Sequence, residues 1–283
     1  MYQNAHRALI LDFNDEYGEF GVKSIALEHV PVFMVHPVAE IRRIRPFVMS
    51  GGKWKKMSTN DMVLTLEKVV NSYKGGALLI EDINKYVDTV MPSDLTGILA
   101  SNAHSDLDLI LHYQSVARPL PTVWQNTNII RYHCQYDPVE KSKIKLSEML
   151  EIFQIAEILV NEQYFIQKNQ RFFVYVDKDA GTIIGNFTYQ MFDKALEEYI
   201  NTNSSQLKPW LQRKNENGKA VYTWPAAMAE CKKRMVQKYW GNNPSASTGK
   251  RESKTMVATG RKRVGKSFET MRYLREDYCV NIA

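Results

Sequence analysis

Three short stretches carry residue types at spacings that can do chemistry. The first is Gly260-Arg261-Lys262-Arg263-Val264-Gly265-Lys266-Ser267, a glycine, four residues, then Gly-Lys-Ser, the phosphate-cradling pattern G-x-x-x-x-G-K-[ST]. Its glycines let backbone N–H groups from Gly260 to Phe268 turn inward around phosphate oxygens. The Lys266 ammonium and the Ser267 hydroxyl can then reach the terminal phosphates and a Mg²⁺ ion. The second is Gly75-Gly76-Ala77-Leu78-Leu79-Ile80-Glu81-Asp82, a short apolar run ending in two acids. One carboxylate there can hold a metal's water shell and the next can polarise an attacking water. Glu81 is assigned to the metal shell and Asp82 to the water, although the usual order of the two acids is the reverse. The third is Leu107 to Tyr113, an apolar run ending at Gln114, whose amide can sense a γ-phosphate from a neighbouring strand tip. The ligand this set calls for is ATP with Mg²⁺.

The elements that position these residues must come from an unusual chain order. A phosphate loop sits on a buried parallel sheet, yet only sixteen residues follow Ser267. Its strand, Lys254 to Ala258, therefore needs partners that precede it, and the strands ending at Gln114 and Glu81 are expected on its two sides. Joining Ala283 to Met1 turns the text into strand, phosphate loop, helix, then the strand Arg7 to Phe13, an ordinary βαβ unit. The order reads as circularly permuted. After that first strand, Asp12 to Gly18 is a polar turn with several carboxylates, one of them expected near the metal. Val32 to Val35 reads as another strand, and Ser50 to Met57 as a loop with Trp54 among Lys53, Lys55 and Lys56. Ser58 to Asp61 caps a helix over Met62 to Ser72, and Arg171 to Gly185 reads as a hairpin.

Composition fits a globular chain with no membrane span: 44 % of residues are hydrophobic and 24 % charged, with no run of about eighteen apolar residues. A cytoplasmic or virion-associated location is expected. The three cysteines, Cys134, Cys231 and Cys279, are far apart and odd in number, which suggests neither disulfides nor zinc. The spacing of His104, His112 and His133 matches no common zinc pattern. The net charge of +6 is uneven, because Lys208 to Arg275 holds 17 Lys and Arg against 4 Asp and Glu, and the rest holds 20 against 27. A helix from Pro225 to Tyr239 carries Lys232, Lys233 and Arg234. With Lys53, Lys55 and Lys56, these are the expected DNA contacts, a solvated basic tail being the bland alternative. The expected architecture is α/β: a P-loop nucleotide-binding core with a mostly parallel sheet (1–201), a small basic helical appendage and Gly/Ser/Asn-rich linker (202–250), and the strand, phosphate loop and helix that complete the core (251–283).

With the ends joined, the chain runs from the phosphate loop through L-I-L-D-F-N-D-E-Y-G and L-L-I-E-D to S-N-A-H-S-D-L-D-L-I-L-H-Y-Q-S and R-P-L-P. This order resembles the FtsK/HerA superfamily of DNA-pumping ATPases, and within it the phage genome-packaging ATPases and the assembly proteins similar to zonula occludens toxin. The resemblance implies a RecA-like core, a homo-oligomeric ring, expected to be a hexamer, and ATP-driven DNA translocation. It also implies a capsid or membrane docking protein as partner. It implies that an arginine acts across subunits. The basic residue often found before the family's histidine is Ala103 here, which leaves Arg118 or Arg131 for that role. Two other classes compete. A permuted GTPase would need an N-K-x-D motif, and Asn84-Lys85-Tyr86-Val87-Asp88 has one residue too many. A non-enzymatic DNA-binding scaffold is supported only by the basic segment.

Overall fold

A computed structural model describes residues 7–35, 39–83, 97, 107–142, 146–241 and 255–259. Residues 260–283, which contain the phosphate loop, lie outside the described residues, as do 84–88, Ala103, His104 and the 242–250 linker. In chain order the strands are β1 (Ala8–Leu11), β2 (Lys23–Ser24), β3 (Ile41–Ile44), β4 (Phe47–Ser50), β5 (Lys53–Lys56) and β6 (Gly76–Ile80). They continue with β7 (Leu107–Tyr113), β8 (Ile129–His133), β9 (Phe173–Asp177), β10 (Thr182–Ile184) and β11 (Thr255–Thr259). The longer helices are α1 (Val30–Val35), α2 (Thr59–Ser72), α3 (Pro121–Asn126), α4 (Leu150–Asn161), α5 (Tyr189–Thr202) and α6 (Trp224–Tyr239). The chain divides into two compact units, Met1–Ile129 with Lys250–Ala283, and Ile130–Gly249.

The first unit is built on a parallel α/β sheet. Among the described residues its order is β11-β7-β6-β1-β3-β2, and each of these pairs is parallel. Parallel strands are covered on both faces and so read as continuous apolar runs. Ala8 to Leu11 and Ala77 to Ile80 are accordingly buried at every position. Gly76 starts β6 at φ +110°, and a Cβ there would lie 2.4 Å from the Arg7 carbonyl oxygen, so only glycine lets the two strands close. Helix α2 is fixed by a capping box: Ser58 Oγ accepts from the Asp61 N–H at 3.2 Å, and the Asp61 carboxylate accepts from the Ser58 N–H at 2.9 Å. Its Leu66, Val69 and Val70 pack with Leu9, Leu11, Leu78 and Leu109 in one core.

Two sequence expectations in this unit are corrected. Val32 to Val35 is helical, within α1. Val30 and Phe33, three apart, are buried, while Val32 and Val35 are exposed, and Pro31 fits the first helical turn, where its missing N–H costs nothing. Ser50 to Met57 is not a loop: β4 and β5 form an antiparallel hairpin with Phe47 opposite Lys56 and Met49 opposite Trp54. Gly51 and Gly52, at φ +57° and +73°, make the two-residue turn that needs positive φ at both positions.

The second unit holds the antiparallel β9–β10 pair expected as a hairpin, with α4, α5 and α6. On α5, Phe192, Ala195, Leu196, Tyr199 and Ile200 are buried, the i, i+3, i+4, i+7, i+8 stripe of an amphipathic helix. The expected boundary at 201/202 falls inside this unit, because α6 packs on α5 through ion pairs. Lys232 Nζ lies 2.6 Å from Asp193 Oδ2 and 3.1 Å from Glu197 Oε2. The helix of the segment expected as a small basic helical appendage packs here as α6.

Candidate active site

The register brings the chemistry-bearing residues of the first unit to one edge of its sheet. Leu11 is paired with Ile80, Ile80 with Leu111, and Thr259 with Tyr113. All four strands run the same way, so Asp12, Glu81 and Gln114 come next at the same carboxyl edge, toward which β11 also points, where open α/β sheets bind ligands. The phosphate-loop strand pairs with β7 in this sheet. One expected neighbour is corrected. β11 pairs with β7, but β6 occupies the opposite edge of β7, so the acidic strand is two strand spacings, roughly 10 Å, from β11. Gly260 to Phe268, including Lys266 and Ser267, begins one residue beyond the described part of β11.

Glu81 and Asp82 are 4 % and 6 % exposed, so their carboxylates are set in the protein. The Glu81 N–H donates to the Leu11 carbonyl at 3.4 Å, which ties the end of β6 to β1. Asp82 turns into the left-handed region, φ +43°, where non-glycine residues are uncommon. Its Oδ2 accepts from Asn14 Nδ2 at 3.1 Å. Two adjacent carboxylates form an oxygen-only donor set that suits a hard cation such as Mg²⁺.

The carboxylates of the turn after β1, one of them expected near the metal, are engaged by donors of the protein itself. Asp12 is fully buried. Its Oδ1 accepts from the Glu16 N–H at 2.9 Å, and its Oδ2 accepts from the Tyr17 N–H at 3.0 Å and from Arg43 Nη1 at 2.6 Å. Arg43 Nη1 also donates to Asp15 Oδ1 at 2.5 Å, and Arg45 donates to Asp15 through Nε and Nη2 at 3.0 and 2.8 Å. Hydrogen bonding from Arg45, helped by Arg43, holds the Asp15 carboxyl below its usual value despite partial burial. This lattice fixes the 12–17 turn, and with it Asn14, against Asp82. Asn14, Arg43 and Arg45 were not singled out from sequence. The available signal was Arg42-Arg43-Arg45 in a strand whose parallel neighbour ends in Asp.

Gln114 is half-buried just beyond β7. The turn after it is held by Ser115, whose Oγ accepts from the Ala117 N–H at 3.0 Å and whose carbonyl accepts from the Arg118 N–H at 3.1 Å. Arg118 is exposed, whereas Arg131 is fully buried with its guanidinium carbon 4.0 Å over the Phe173 ring. Of the two arginines considered for a trans role, only Arg118 is placed to reach outward. His112 and His133 are buried, the latter 5.2 Å from Phe173. No group of three or more His, Cys, Asp or Glu among the described residues is arranged to hold a metal. Of the expected DNA contacts, Lys53, Lys55, Lys56, Lys233 and Arg234 are exposed, while Lys232 is tied to α5 with its side chain 16 % exposed.

No protein-family model matches the sequence, and no curated protein does. Among solved structures, the chain is similar to the genome packaging NTPase B204 from Sulfolobus turreted icosahedral virus 2. For its complex with AMP the TM-score is 0.43 at 18 % identity, over 64 % of this chain and 82 % of that one. For the complex with AMPPCP it is 0.43 at 17 %, over 65 % and 84 %. B204, the DNA-packaging ATPase from Sulfolobus turreted icosahedral virus, gives 0.40 at 16 %, over 65 % and 84 %. Among the described residues no helix is long and apolar enough to cross a membrane.

Proposed function

We propose that this chain hydrolyses ATP to move DNA, as the motor of viral genome packaging, working in a ring of identical copies. The observation that carries the reading is the parallel pairing of β11 with β7. It aims the chain entering the G-x-x-x-x-G-K-S loop at the same sheet edge as Glu81-Asp82 and Gln114. In this scheme the backbone from Gly260 to Phe268 and Lys266 bind the phosphates, and Ser267 and Glu81 hold Mg²⁺, Glu81 through water. Mg²⁺, when bound, offsets charge on the transferred phosphate. Asp82 accepts hydrogen bonds from the attacking water and orients it, and Asn14 holds that carboxylate in place. Gln114 reports the γ-phosphate to the turn that ends in Arg118, and Arg118 reaches the nucleotide of a neighbouring copy. Lys53, Lys55, Lys56, Lys233 and Arg234 meet DNA phosphates, and a capsid or membrane protein docks the ring in the host cytoplasm or on the virion.

The test is the rate of phosphate release from ATP, with and without DNA, for the wild type and Lys266→Ala, paired with the particle mass. Hydrolysis stimulated by DNA and abolished by Lys266→Ala is expected, from a particle several times the 32.7 kDa of one chain. A wild type that turns over no ATP, or turnover that Lys266→Ala leaves standing, overturns the assignment. Selective hydrolysis of GTP points instead to the permuted GTPase class.

A further inference from the structure

The β4–β5 hairpin leaves the sheet at the carboxyl end of β3, the same edge that carries Glu81, Asp82 and Gln114. Together with α2 it walls a groove of about 750 Å³ whose apolar lining includes Phe47, Val48, Met49, Trp54, Met57 and Leu64. Three of these stand largely in solvent, Trp54 at 65 %, Leu64 at 54 % and Met49 at 52 %. An aromatic ring left this open is not serving the core, where it would stabilise the fold by burial.

The groove's lining carries Arg45 and Lys68 against Glu28 and Asp61, and the exposed lysines of β5 add positive charge at its rim. Every residue of β5 is exposed, three of its four are lysine, and Lys68 lines the groove from α2. Strand alternation puts Lys56 on the same face as Trp54, and Lys53 and Lys55 on the other. The acids in the lining are Glu28 and Asp61, and Asp61 is already engaged by the Ser58 cap. The fitting occupant therefore presents flat apolar faces and negative charges side by side.

We propose that this groove binds single-stranded nucleic acid, with a base stacked on Trp54 and its phosphates on Lys56 and Lys68. The inference rests on the DNA-motor reading and adds the strandedness of the segment that the hairpin grips. In a duplex the base faces are stacked on one another and unavailable, so a duplex would meet only the lysines. An unpaired base offers its face to the ring, which is how sequence-tolerant single-strand sites combine stacking with a basic track.

The experiment is fluorescence anisotropy of the full chain with a labelled oligothymidylate and with a duplex of equal length, at several salt concentrations. Trp54→Ala is expected to weaken oligothymidylate binding roughly 5- to 150-fold, the loss of one stacked base, and to change duplex binding by less than about twofold. Trp54→Phe restores most of the single-strand affinity. Joint charge reversal of Lys56 and Lys68 weakens both forms and flattens their salt dependence. Equal loss of both forms in Trp54→Ala, or loss of neither, overturns the proposal and leaves the groove to a protein partner. A wild type that binds neither form overturns this inference together with its DNA premise, whereas DNA binding insensitive to Trp54 leaves the motor reading intact.

Discussion

Replacing Arg43 by methionine tests the lattice that positions the acidic edge. Arg43 is the sole cation bonded to Asp12 among the ion pairs of the described residues, and their side chains are 10 % and 0 % exposed. Methionine keeps much of the stem's packing but leaves the Asp12 carboxylate buried, with only the Glu16 and Tyr17 N–H groups as donors. Removing one partner of a buried pair costs about 3–5 kcal/mol. The two retained N–H bonds favour the low end, about 3 kcal/mol. At ~2–4 °C per kcal/mol for a chain of comparable size, the first unit should melt roughly 6–12 °C lower. The contrast is Arg45→Met. Arg45 and Asp15 are 44 % and 30 % exposed, and an exposed pair contributes at most about 1 kcal/mol. Asp15 has a folded pKa below 3.8, so its share is present above that pH and is lost as pH falls through the folded value. The Arg45→Met deficit should shrink below pH 3.8. Calorimetric melts of Arg43→Met, Arg45→Met, Asp12→Asn and Asp12→Asn/Arg43→Met provide the assay. The double variant removes the orphaned charge and should recover stability relative to Arg43→Met. An Arg43→Met loss below about 1 kcal/mol, or a double variant costing the sum of the two single losses, refutes the reasoning.

Asn14→Ala removes a donor to Asp82, a bond to a charged group that contributes about 1.5–3 kcal/mol; kcat for ATP should fall by at least about tenfold while KM moves little, and equal kcat in variant and wild type would sink the role. Burial in the second unit pushes the Glu157 carboxyl above 4.5, so the folded state holds that proton more tightly and stability rises as pH falls through the folded value toward 4.5. Glu157→Gln keeps an acceptor for the Val139 N–H, 3.1 Å away, and should remove this rise; a pH-independent gap between the two melting curves would contradict the assignment. Joining Ala283 to Met1 by a peptide link and reopening the chain within 242–249 should preserve DNA-stimulated ATP hydrolysis; a soluble rejoined chain without turnover would argue against the permuted order.

What could be read from sequence depended on how local its cause was. The strands β1, β6 and β7 were legible because parallel strands buried on both faces need unbroken apolar runs, and α2 because its cap and stripe lie within one segment. β5 was not legible: its four side chains are exposed, so no hydrophobic period marks it, and only pairing with β4 across Gly51-Gly52 makes it a strand. The basicity of Lys232 was visible, but its neutralisers Asp193 and Glu197 sit 39 and 35 positions earlier. Asn14 escaped for the same reason, since its partner Asp82 lies 68 positions away. Parallel pairing for β11 is dictated by the chemistry of its loop, whereas the choice of β7 over β6 depends on strand order, which no local pattern encodes.

The parallel sense of β11 and β1 constrains how the last stretch of chain can serve the first. Both strands point to the same edge, so a chain leaving β11 at Thr259 must cross back over the sheet before it can enter β1 at Ala8. Such a return is what the helix of a βαβ unit supplies. A helix rises about 1.5 Å per residue, so roughly eleven residues recross the ~17 Å height of a five-residue strand. Such a return keeps Asp12 and Asn14 at the edge that carries Glu81 and Asp82, where the Asn14–Asp82 hydrogen bond already joins them.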